Sequence, residues 1–231
     1  MAATIPNCKA YDHAFAGELA VIVDAGMREM LVEQQDFFYY ITLMNENYAQ
    51  LDLPEGAEDD LLRGAYRLMQ LRPARDAGAT AAQSGKASGK TARKNTGSAG
   101  TGAALTMMGS GAILTEVIKA AQALVEQGVA VDVISVTSWS QLARDGQACE
   151  ADERTPFLTQ LLADTQGPIV AATDYVRAVP ETVRAYLPEG RAYTTLGTDG
   201  FGRSDTRSAL RSFFGVDAAS IQAAAQRALK R

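Results

Sequence analysis

Residues 105–136 read LTMMGSGAILTEVIKAAQALVEQGVAVDVISV. Leu105–Met108 is a short apolar run typical of a strand, and Gly109–Gly111 predicts a tight turn. Ile113–Gln127 repeats apolar residues at three- and four-residue steps, as a helix with one buried face does. Val129–Val136 is a second apolar run of strand length. A strand, a helix and a strand in this order predict a right-handed crossover between parallel strands.

The same alternation continues towards the C-terminus. Two more short apolar runs predict strands, and the segments around them predict helices. The predicted strands are Ile169–Ala172 and Ala192–Leu196, and the predicted helices are Leu142–Asp145, Pro156–Ala163, Val179–Tyr186, Thr206–Phe213 and Ala218–Lys230. We therefore expect an α/β fold of three layers, in which a mostly parallel, twisted sheet lies between two layers of helices.

The N-terminal part of the chain adds more elements of both kinds. A helix over Phe15–Glu33 precedes Phe37–Leu43, whose aromatic and β-branched residues predict a strand buried on both faces. The acidic run in Leu53–Asp60 predicts the first turn of a short helix, and Tyr66–Leu71 predicts a strand. Because the chain then returns in a hairpin-like way across residues 74–104, we expect one edge strand to be antiparallel.

Residues 74–104 differ in composition from the rest of the chain. They contain no Leu, Ile, Val or aromatic residue, but six Gly and five Lys or Arg against one Asp. Such a segment cannot bury enough surface to offset its chain entropy, so we predict a disordered loop. It could be a basic tether for an acidic or phosphate-bearing partner, or an insertion tolerated at a loop tip, and we favour the insertion.

Composition limits the possible functions. The formal net charge is -5, which argues against nucleic acid or an acidic membrane surface as a partner. Two cysteines and one histidine are too few for a zinc site or a disulfide framework, and no apolar run is long enough to span a membrane. We expect a cytoplasmic protein, with His13 in an exposed turn and therefore no histidine-based hydrolase.

Two glycine-containing turns could bind a ligand. Gly109 and Gly111 resemble the start of a dinucleotide fingerprint, but Leu114 occupies the place of its third glycine. Gly197–Asp205 follows the last predicted strand, where Ser204 or Asp205 could cap the next helix and Arg203 could bind a carboxylate or phosphate. A loop held by its own Asp/Arg pairs, or pressed against another subunit, is the interpretation we favour. Trp139, the single tryptophan, is expected in the core or at an interface.

A series of short motifs, taken in order, resembles one enzyme family. The motifs are Ile5–Cys8, Glu18–Ile22, Tyr39–Thr42, Asn45–Tyr48, Pro54–Ala57, Gly109–Gly111, Ser135–Ser138, Leu142–Gln147, Thr173–Tyr175 and Gly197–Asp205. Together they resemble the C-terminal part of the homodimeric bacterial pyruvate dehydrogenase, the decarboxylating component. That family is thiamine-diphosphate dependent and related to transketolase. The resemblance covers the chain except for the 74–104 loop, where the family has what looks like a short turn.

The resemblance implies a division of the chain and a set of partners. Residues 1–52 would be the last helix and strand of a pyrimidine-binding domain, and 53–231 a transketolase-like C-terminal domain interrupted by the loop. Thiamine diphosphate and magnesium would belong to the full-length enzyme, because the family's cofactor and catalytic motifs have no counterpart in this chain. The implied partners are the rest of the subunit, a second subunit and the lipoyl acyltransferase of the complex.

The resemblance transfers no catalytic, cofactor-binding or metal-binding residue. It implies only candidate residues for a dimer interface or an active-site rim. These are Asn45, Glu46, Asn47, Tyr48, Asp199, Gly200, Phe201, Gly202, Arg203, Ser204 and Asp205. The fragment alone would be inactive, with a structural and dimerisation role, and the apolar faces of Phe15–Leu43 would drive self-association or docking onto the C-terminal domain.

A function of another class remains open on the residues alone. The chain could be a stand-alone α/β domain that binds a small molecule or regulates a partner. Its site would then lie at the ends of strands, around Ser110, Ser138, Asp174 and Arg203.

Overall fold

The computed structural model describes residues 4–74 and 102–230. The predicted disordered loop over 74–104 therefore falls almost entirely outside the described residues. The elements, in chain order, are β1 (Cys8–Tyr11), α1 (Ala16–Met27), β2 (Phe38–Ile41), α2 (Glu58–Arg63), β3 (Ala65–Leu71), β4 (Ala104–Gly109), α3 (Ile113–Glu126), β5 (Ala130–Val136), α4 (Trp139–Ala151), α5 (Phe157–Leu161), β6 (Ile169–Ala172), α6 (Ala178–Glu181), β7 (Tyr193–Leu196), α7 (Arg207–Phe214) and α8 (Ala218–Ala228).

Five strands form the central sheet, in the spatial order β3-β5-β4-β6-β7. Four of them are parallel, and β3 pairs antiparallel with β5 along one edge, from Ala65 opposite Val136 to Leu71 opposite Val131. The predicted three-layer α/β fold and its antiparallel edge strand are confirmed. The hairpin-like return is wrong, because β5 lies between the consecutive strands β3 and β4.

The central sheet is apolar on both faces because its strands are covered on both sides. Met107 and Met108 are adjacent and fully buried, yet they belong to opposite layers of the core, as successive strand residues do. Met107 packs with α3 and α8, whereas Met108 packs with α4 and α5. The helices predicted on either side of these strands therefore form the two outer layers.

Strands β1 and β2 form a second, two-stranded parallel sheet, with Cys8 opposite Phe38 and Tyr11 opposite Ile41. The sequence did not predict β1. The prediction that β2 is buried on both faces is wrong, since Phe38 and Tyr40 are 43% and 52% exposed. Among the described residues β2 pairs with β1 alone, and nothing covers its outer face.

Helix lengths differ from the predictions where local packing changes the backbone. The helix predicted over Phe15–Glu33 is α-helical only to Met27 and continues as a wider π-helical turn over Arg28–Val32. Helix α4 extends beyond the predicted Leu142–Asp145 at both ends, and the side chain of Ser138 caps its first turn by accepting a hydrogen bond from Gln141 N. The predicted helix Val179–Tyr186 is split into α6 and one 3₁₀ turn.

Candidate functional site

The carboxyl ends of the two sheets face each other, and Asp12 lies between them. Asp12 directly follows β1 and is 8% exposed. Its Oδ2 accepts a hydrogen bond of 2.8 Å from the hydroxyl of Ser110, which follows β4. Its Oδ1 accepts one of 2.6 Å from Thr42, which follows β2. Polar residues at the ends of parallel strands thus join the small sheet to the large one.

The backbone of Asp12 strengthens this connection. Its N–H donates to the carbonyl of Thr137 at 2.7 Å, and its carbonyl accepts from Gly111 N at 3.0 Å. Gly111 has φ +53, and a Cβ there would lie 2.8 Å from both carboxylate oxygens of Asp12. The glycine is therefore required for the close approach of the turn to the carboxylate. This explains Gly111 without a bound dinucleotide.

Burial determines how readily the Asp12 carboxyl is protonated. Burial of Asp12 raises the pKa of its carboxyl, and the hydrogen bonds from Thr42 and Ser110 oppose that shift. Tyr175 lies on the same side, donates to Thr42 Oγ1 at 3.3 Å, and has a pKa raised by burial to about 12. Asp12, Thr42, Ser110 and Tyr175 thus form a polar network in which each group is hydrogen-bonded to another protein group.

A second buried carboxylate, Glu18, ties α1 to the central sheet. Glu18 Oε2 accepts hydrogen bonds from the backbone N–H groups of Ala14 and Phe15 at 2.6 and 2.9 Å. Its Oε1 accepts from the hydroxyls of Tyr66 and Ser135 at 2.8 and 2.6 Å. We call the set of contacts made by Asp12, Glu18 and Thr42 with the central sheet the seam.

The candidate residues Asn45–Tyr48 lie in the connection after β2 and are held by α7 and by the N-terminal segment. Arg211 donates to Glu46 Oε1 at 3.0 Å and to Glu116 Oε1 at 3.4 Å. Arg207 donates to the carbonyl of Asn45. The hydroxyl of Tyr48 donates to the carbonyl of Ala14. These contacts fix the position of the connection relative to the large sheet.

The candidate loop Gly197–Asp205 is fixed at its start and open at its tip. Thr198 N donates to Tyr175 O at 2.8 Å, and Asp199 accepts from the backbone N–H of Arg177 at 2.9 Å and from its guanidinium. The backbone N–H and guanidinium of Arg177 lower the pKa of Asp199. Phe201 is 97% exposed.

Two expectations about this loop need correction. The cap of α7 is Thr206, whose hydroxyl accepts from Ala209 N, and not Ser204 or Asp205. The Asp/Arg pair that holds the loop joins Asp199 to Arg177, which lies outside it.

The structure brings the two candidate sets onto neighbouring elements. Arg207 and Arg211 of α7, the helix that follows the loop, contact Asn45 and Glu46. Of the remaining candidates, Asn47, Gly200 and Gly202 are exposed and make no hydrogen bond among the described contacts. The sequence analysis did not identify Asp12 as a site residue. It could have been found if Cys8–Tyr11 had been predicted as a strand, because Asp12 directly follows that segment.

The sequence analysis also predicted the burial of Trp139 and the exposure of His13. Trp139 is 4% exposed and packs in the core, as predicted. The exposed turn predicted for His13 is wrong, because the residue is half-buried, its Nδ1 is buried without a hydrogen-bond partner, and burial lowers its pKa. The turn before α1 is therefore folded against the protein and does not project into solvent.

Of the strand ends proposed for a small-molecule site, those at Ser110 and Ser138 are occupied by the protein itself, whereas Asp174 is exposed. Ser110 bonds to Asp12, and Ser138 donates to the carbonyl of Ala10 at 2.5 Å. Arg203 lies over the ring of Phe213 instead, at 4.4 Å from its centroid. Within residues 4–74 and 102–230 no three or more His, Cys, Asp or Glu side chains are grouped to bind a metal, and no helix could cross a membrane.

Comparison with known proteins assigns the fold to a family. Residues 93–217, more than half of the chain, match the family described as the transketolase-like C-terminal domain. The chain belongs to this family. Residues 1–51, upstream of the transketolase-like C-terminal domain, match the middle domain of the pyruvate dehydrogenase E1 component.

Individual relatives extend the similarity beyond the transketolase-like C-terminal domain. The chain is 40% identical to the pyruvate dehydrogenase E1 components of Pseudomonas aeruginosa, over 99% of its length, and of Escherichia coli, over 96%. The corresponding protein of Mycobacterium tuberculosis is 39% identical over 99% of the chain. The chain spans about a quarter of the length of these curated relatives, which confirms the resemblance to a C-terminal part.

Solved structures of transketolases share the fold. Transketolase from Leishmania mexicana matches the whole chain with a TM-score of 0.62 and 16% identity, over 26% of its own length. A split-gene transketolase described as an inactive beta4 tetramer matches 99% of the chain with a TM-score of 0.59 and 17% identity, over 59% of its length. At this identity the likeness concerns the fold alone.

Proposed function

We propose that this chain forms the C-terminal part of a thiamine-diphosphate-dependent pyruvate dehydrogenase decarboxylating subunit. The observation that carries the proposal is 40% identity to an E1 component along 99% of the chain. The full-length enzyme would decarboxylate pyruvate on thiamine diphosphate and transfer the two-carbon unit to a lipoyl group of an acyltransferase partner. We place it in the cytoplasm.

The described residues do not fit a site for the cofactor. Thiamine diphosphate needs a magnesium ion held by oxygen ligands beside its diphosphate. Among residues 4–74 and 102–230 no three or more His, Cys, Asp or Glu side chains are grouped as metal ligands. Cofactor binding and catalysis would, by the similarity to E1 components, belong to other parts of the full-length subunit.

The role of this part would be structural. Residues 1–52 would complete a pyrimidine-binding domain, and 53–231 would form the C-terminal domain. The separate two-stranded sheet of β1 and β2 supports this division. Asp12 and Glu18 connect the first segment to the central sheet through buried hydrogen bonds. Such contacts would hold two domains of one subunit in a fixed relative orientation.

The candidate residues would lie at a dimer interface or at the rim of the active site. Asn45–Tyr48 follow the carboxyl end of β2, and Asp199–Asp205 follow β7. The carboxyl ends of strands are where open α/β folds bind ligands. The exposure of Phe201 and the attachment of α7 to Glu46 support a surface shared by both candidate sets.

A chimeric enzyme tests the proposal. The C-terminal quarter of the Pseudomonas aeruginosa E1 component would be replaced by this chain, and pyruvate-dependent reduction of an artificial electron acceptor would be measured. We expect turnover by the chimera and none by the same protein without its C-terminal quarter. A chimera that binds thiamine diphosphate and magnesium but does not turn over pyruvate would contradict the proposal.

The chain alone provides the second measurement. In calorimetric titration with thiamine diphosphate and magnesium we expect no saturable binding and no decarboxylation of pyruvate. Saturable binding would instead favour a stand-alone small-molecule domain. Ser110 and Ser138 are buried and donate hydrogen bonds to Asp12 and to the carbonyl of Ala10, which speaks against that alternative.

A further inference from the structure

A groove lies between α1 and α2 at the surface of the protein. It has a volume of 590 Å³, and part of its lining is apolar. Ala20, Val21 and Ala25 of α1 and Leu62 of α2 form this part. None of the four side chains is fully buried. The described residues therefore leave an apolar strip between the two helices open to an occupant.

Carboxylates from both helices and from the π-helical turn complete the lining. They are Asp24, Glu29, Glu33, Glu58 and Asp59. Arg28 pairs with Asp24, and Lys9 pairs with Glu29. The other three carboxylates form no ion pair within residues 4–74 and 102–230. An apolar strip bordered by unpaired carboxylates fits a peptide segment that carries basic side chains and small apolar ones.

The same chain contains a segment of this composition. Residues 75–101, which lie outside the described residues, have five basic side chains against one acidic side chain. Alanine is their only apolar residue type apart from glycine. Lys86, Lys90 and Arg93 follow one another at steps of four and three residues. We call residues 75–101 the basic segment.

We propose that the groove between α1 and α2 is an interaction surface whose occupant is the basic segment of the same chain. Lysine and arginine side chains of the segment pair with Glu33, Glu58 and Asp59, and its alanines cover the apolar strip. This inference goes beyond the proposed function. It requires neither cofactor nor substrate, and the resembling family has what looks like a short turn in place of the segment.

The length of the chain allows this contact. The basic segment connects Ala74, after β3, to Gly102, before β4. Helix α2 directly precedes β3, whose seven residues span about 23 Å. Lys86 and Lys90 are each at least twelve residues from both of these ends, and twelve extended residues reach about 40 Å. Because the groove and the segment belong to one chain, their effective concentration is roughly millimolar, and individually weak contacts suffice.

Paramagnetic relaxation enhancement in NMR spectra of the whole chain tests the proposal. A nitroxide label is attached to the variant Ser88→Cys, between the two lysines. Cys8 and Cys149 are buried and stay unlabelled. We expect the label to broaden the amide signals of Val21, Ala25 and Leu62, which line the groove.

Charge reversal identifies the contact. Glu33→Lys combined with Asp59→Lys reverses two exposed carboxylates of the groove. Glu126→Lys combined with Glu189→Lys is the matched control, because it makes the same change in net charge at two exposed positions that do not line the groove. A third chain combines the groove variant with Lys86→Glu and Lys90→Glu, so that the charges of groove and segment are exchanged.

We expect the relaxation enhancement at the groove to fall at least about threefold in the groove variant and in about 0.5 M salt. It should persist in the control and return in the chain with exchanged charges. No enhancement at the groove in the wild-type chain would overturn the proposal. So would an enhancement that the groove variant leaves unchanged, or one that grows with chain concentration, which would show binding to another copy. The chimera assay measures turnover, so its result is independent of this one.

Discussion

Asp12 Oδ2 and Ser110 Oγ lie 2.8 Å apart and connect the end of a strand in one sheet to the end of a strand in the other. Ser110 Oγ is also 2.9 Å from Thr173 Oγ1, after β6. The link thus runs from β1 through β4 to β6. A single buried carboxylate orients three strand ends, and its protonation state should therefore affect the stability of the whole chain.

Replacement of Asp12 by Asn tests the effect of burial on this carboxylate. Because burial raises the folded-state pKa, the ionised group lowers stability at neutral pH, and this cost disappears as the pH falls through the folded pKa towards 3.8. We expect the wild-type chain to gain stability relative to Asp12→Asn on acidification from pH 7 to about pH 4. Urea unfolding at several pH values measures the difference.

Asp164 is the control, because its effect on the pH dependence of stability has the opposite sign. The side chain of Arg67 lowers the pKa of Asp164. The ionised carboxylate therefore stabilises the fold above pH 3.8, and this stabilisation is lost as the pH falls through the lower folded pKa. The wild-type chain should therefore lose stability relative to Asp164→Asn at the acidic end. If the stability difference from wild type changed with pH in the same way for both variants, burial would not be the main cause of the pKa shift at Asp12.

Arg211 tests how the connection after β2 is held. Its side chain is mostly buried and lies between Glu46 and Glu116. Arg211→Met leaves two neighbouring carboxylates short of a partner, and we expect a loss of about 2–3 kcal/mol in the free energy of unfolding. The exposed pair of Arg28 with Asp24 is the control, and Arg28→Met should cost at most about 0.5 kcal/mol. Similar losses in both variants would contradict this account.

The elements predicted correctly from the sequence are those whose apolar residues recur with a clear period inside one short segment. Strands β4 to β7 and helix α3 each carry their apolar period within a few residues, so they could be predicted one at a time. Strand β1 has only four residues, and its partner β2 is 30 residues away along the chain. Its pairing depends on tertiary contacts that no local pattern encodes.

The candidate site divides in the same way. The loop Gly197–Asp205 was visible from its glycines and its place after a predicted strand. The bonding partners of Asp12 and Glu18 could not be read from the sequence, because Ser110, Tyr66 and Ser135 are separated from them by 98, 48 and 117 residues along the chain. A buried carboxylate is defined by the donors that surround it, and those become neighbours only when the chain folds.

Substitution of Gly146 tests the packing of α4 against the 3₁₀ turn before β7. A Cβ at Gly146 would overlap the ring of Tyr186, which is buried. Gly146→Ala forces the ring or the helix to shift, so we expect a loss of about 1–3 kcal/mol despite the better helix propensity of alanine. Gly17→Ala in α1 meets its nearest atom at 3.8 Å and should be neutral or stabilising by up to about 1 kcal/mol. Thermal unfolding of both variants makes the comparison.

Glu18 tests whether the seam contributes to stability as a unit. Glu18→Ala removes the acceptor of four hydrogen bonds and leaves the buried hydroxyls of Tyr66 and Ser135 without it. We expect a loss of about 3 kcal/mol or more, and faster hydrogen exchange at the amides of Ala14 and Phe15. Glu18→Gln keeps the shape and one acceptor oxygen, so its loss should be smaller.

Glu58 lies in the first turn of α2 at an exposed position and is the control, since Glu58→Ala removes a carboxylate without buried partners. It should change the free energy of unfolding by at most about 0.5 kcal/mol. If Glu18→Ala cost no more than Glu58→Ala, the four hydrogen bonds would not hold α1 against the sheet. In that case the first segment would be attached to the central sheet mainly by the apolar contacts of Phe15 and Ile22.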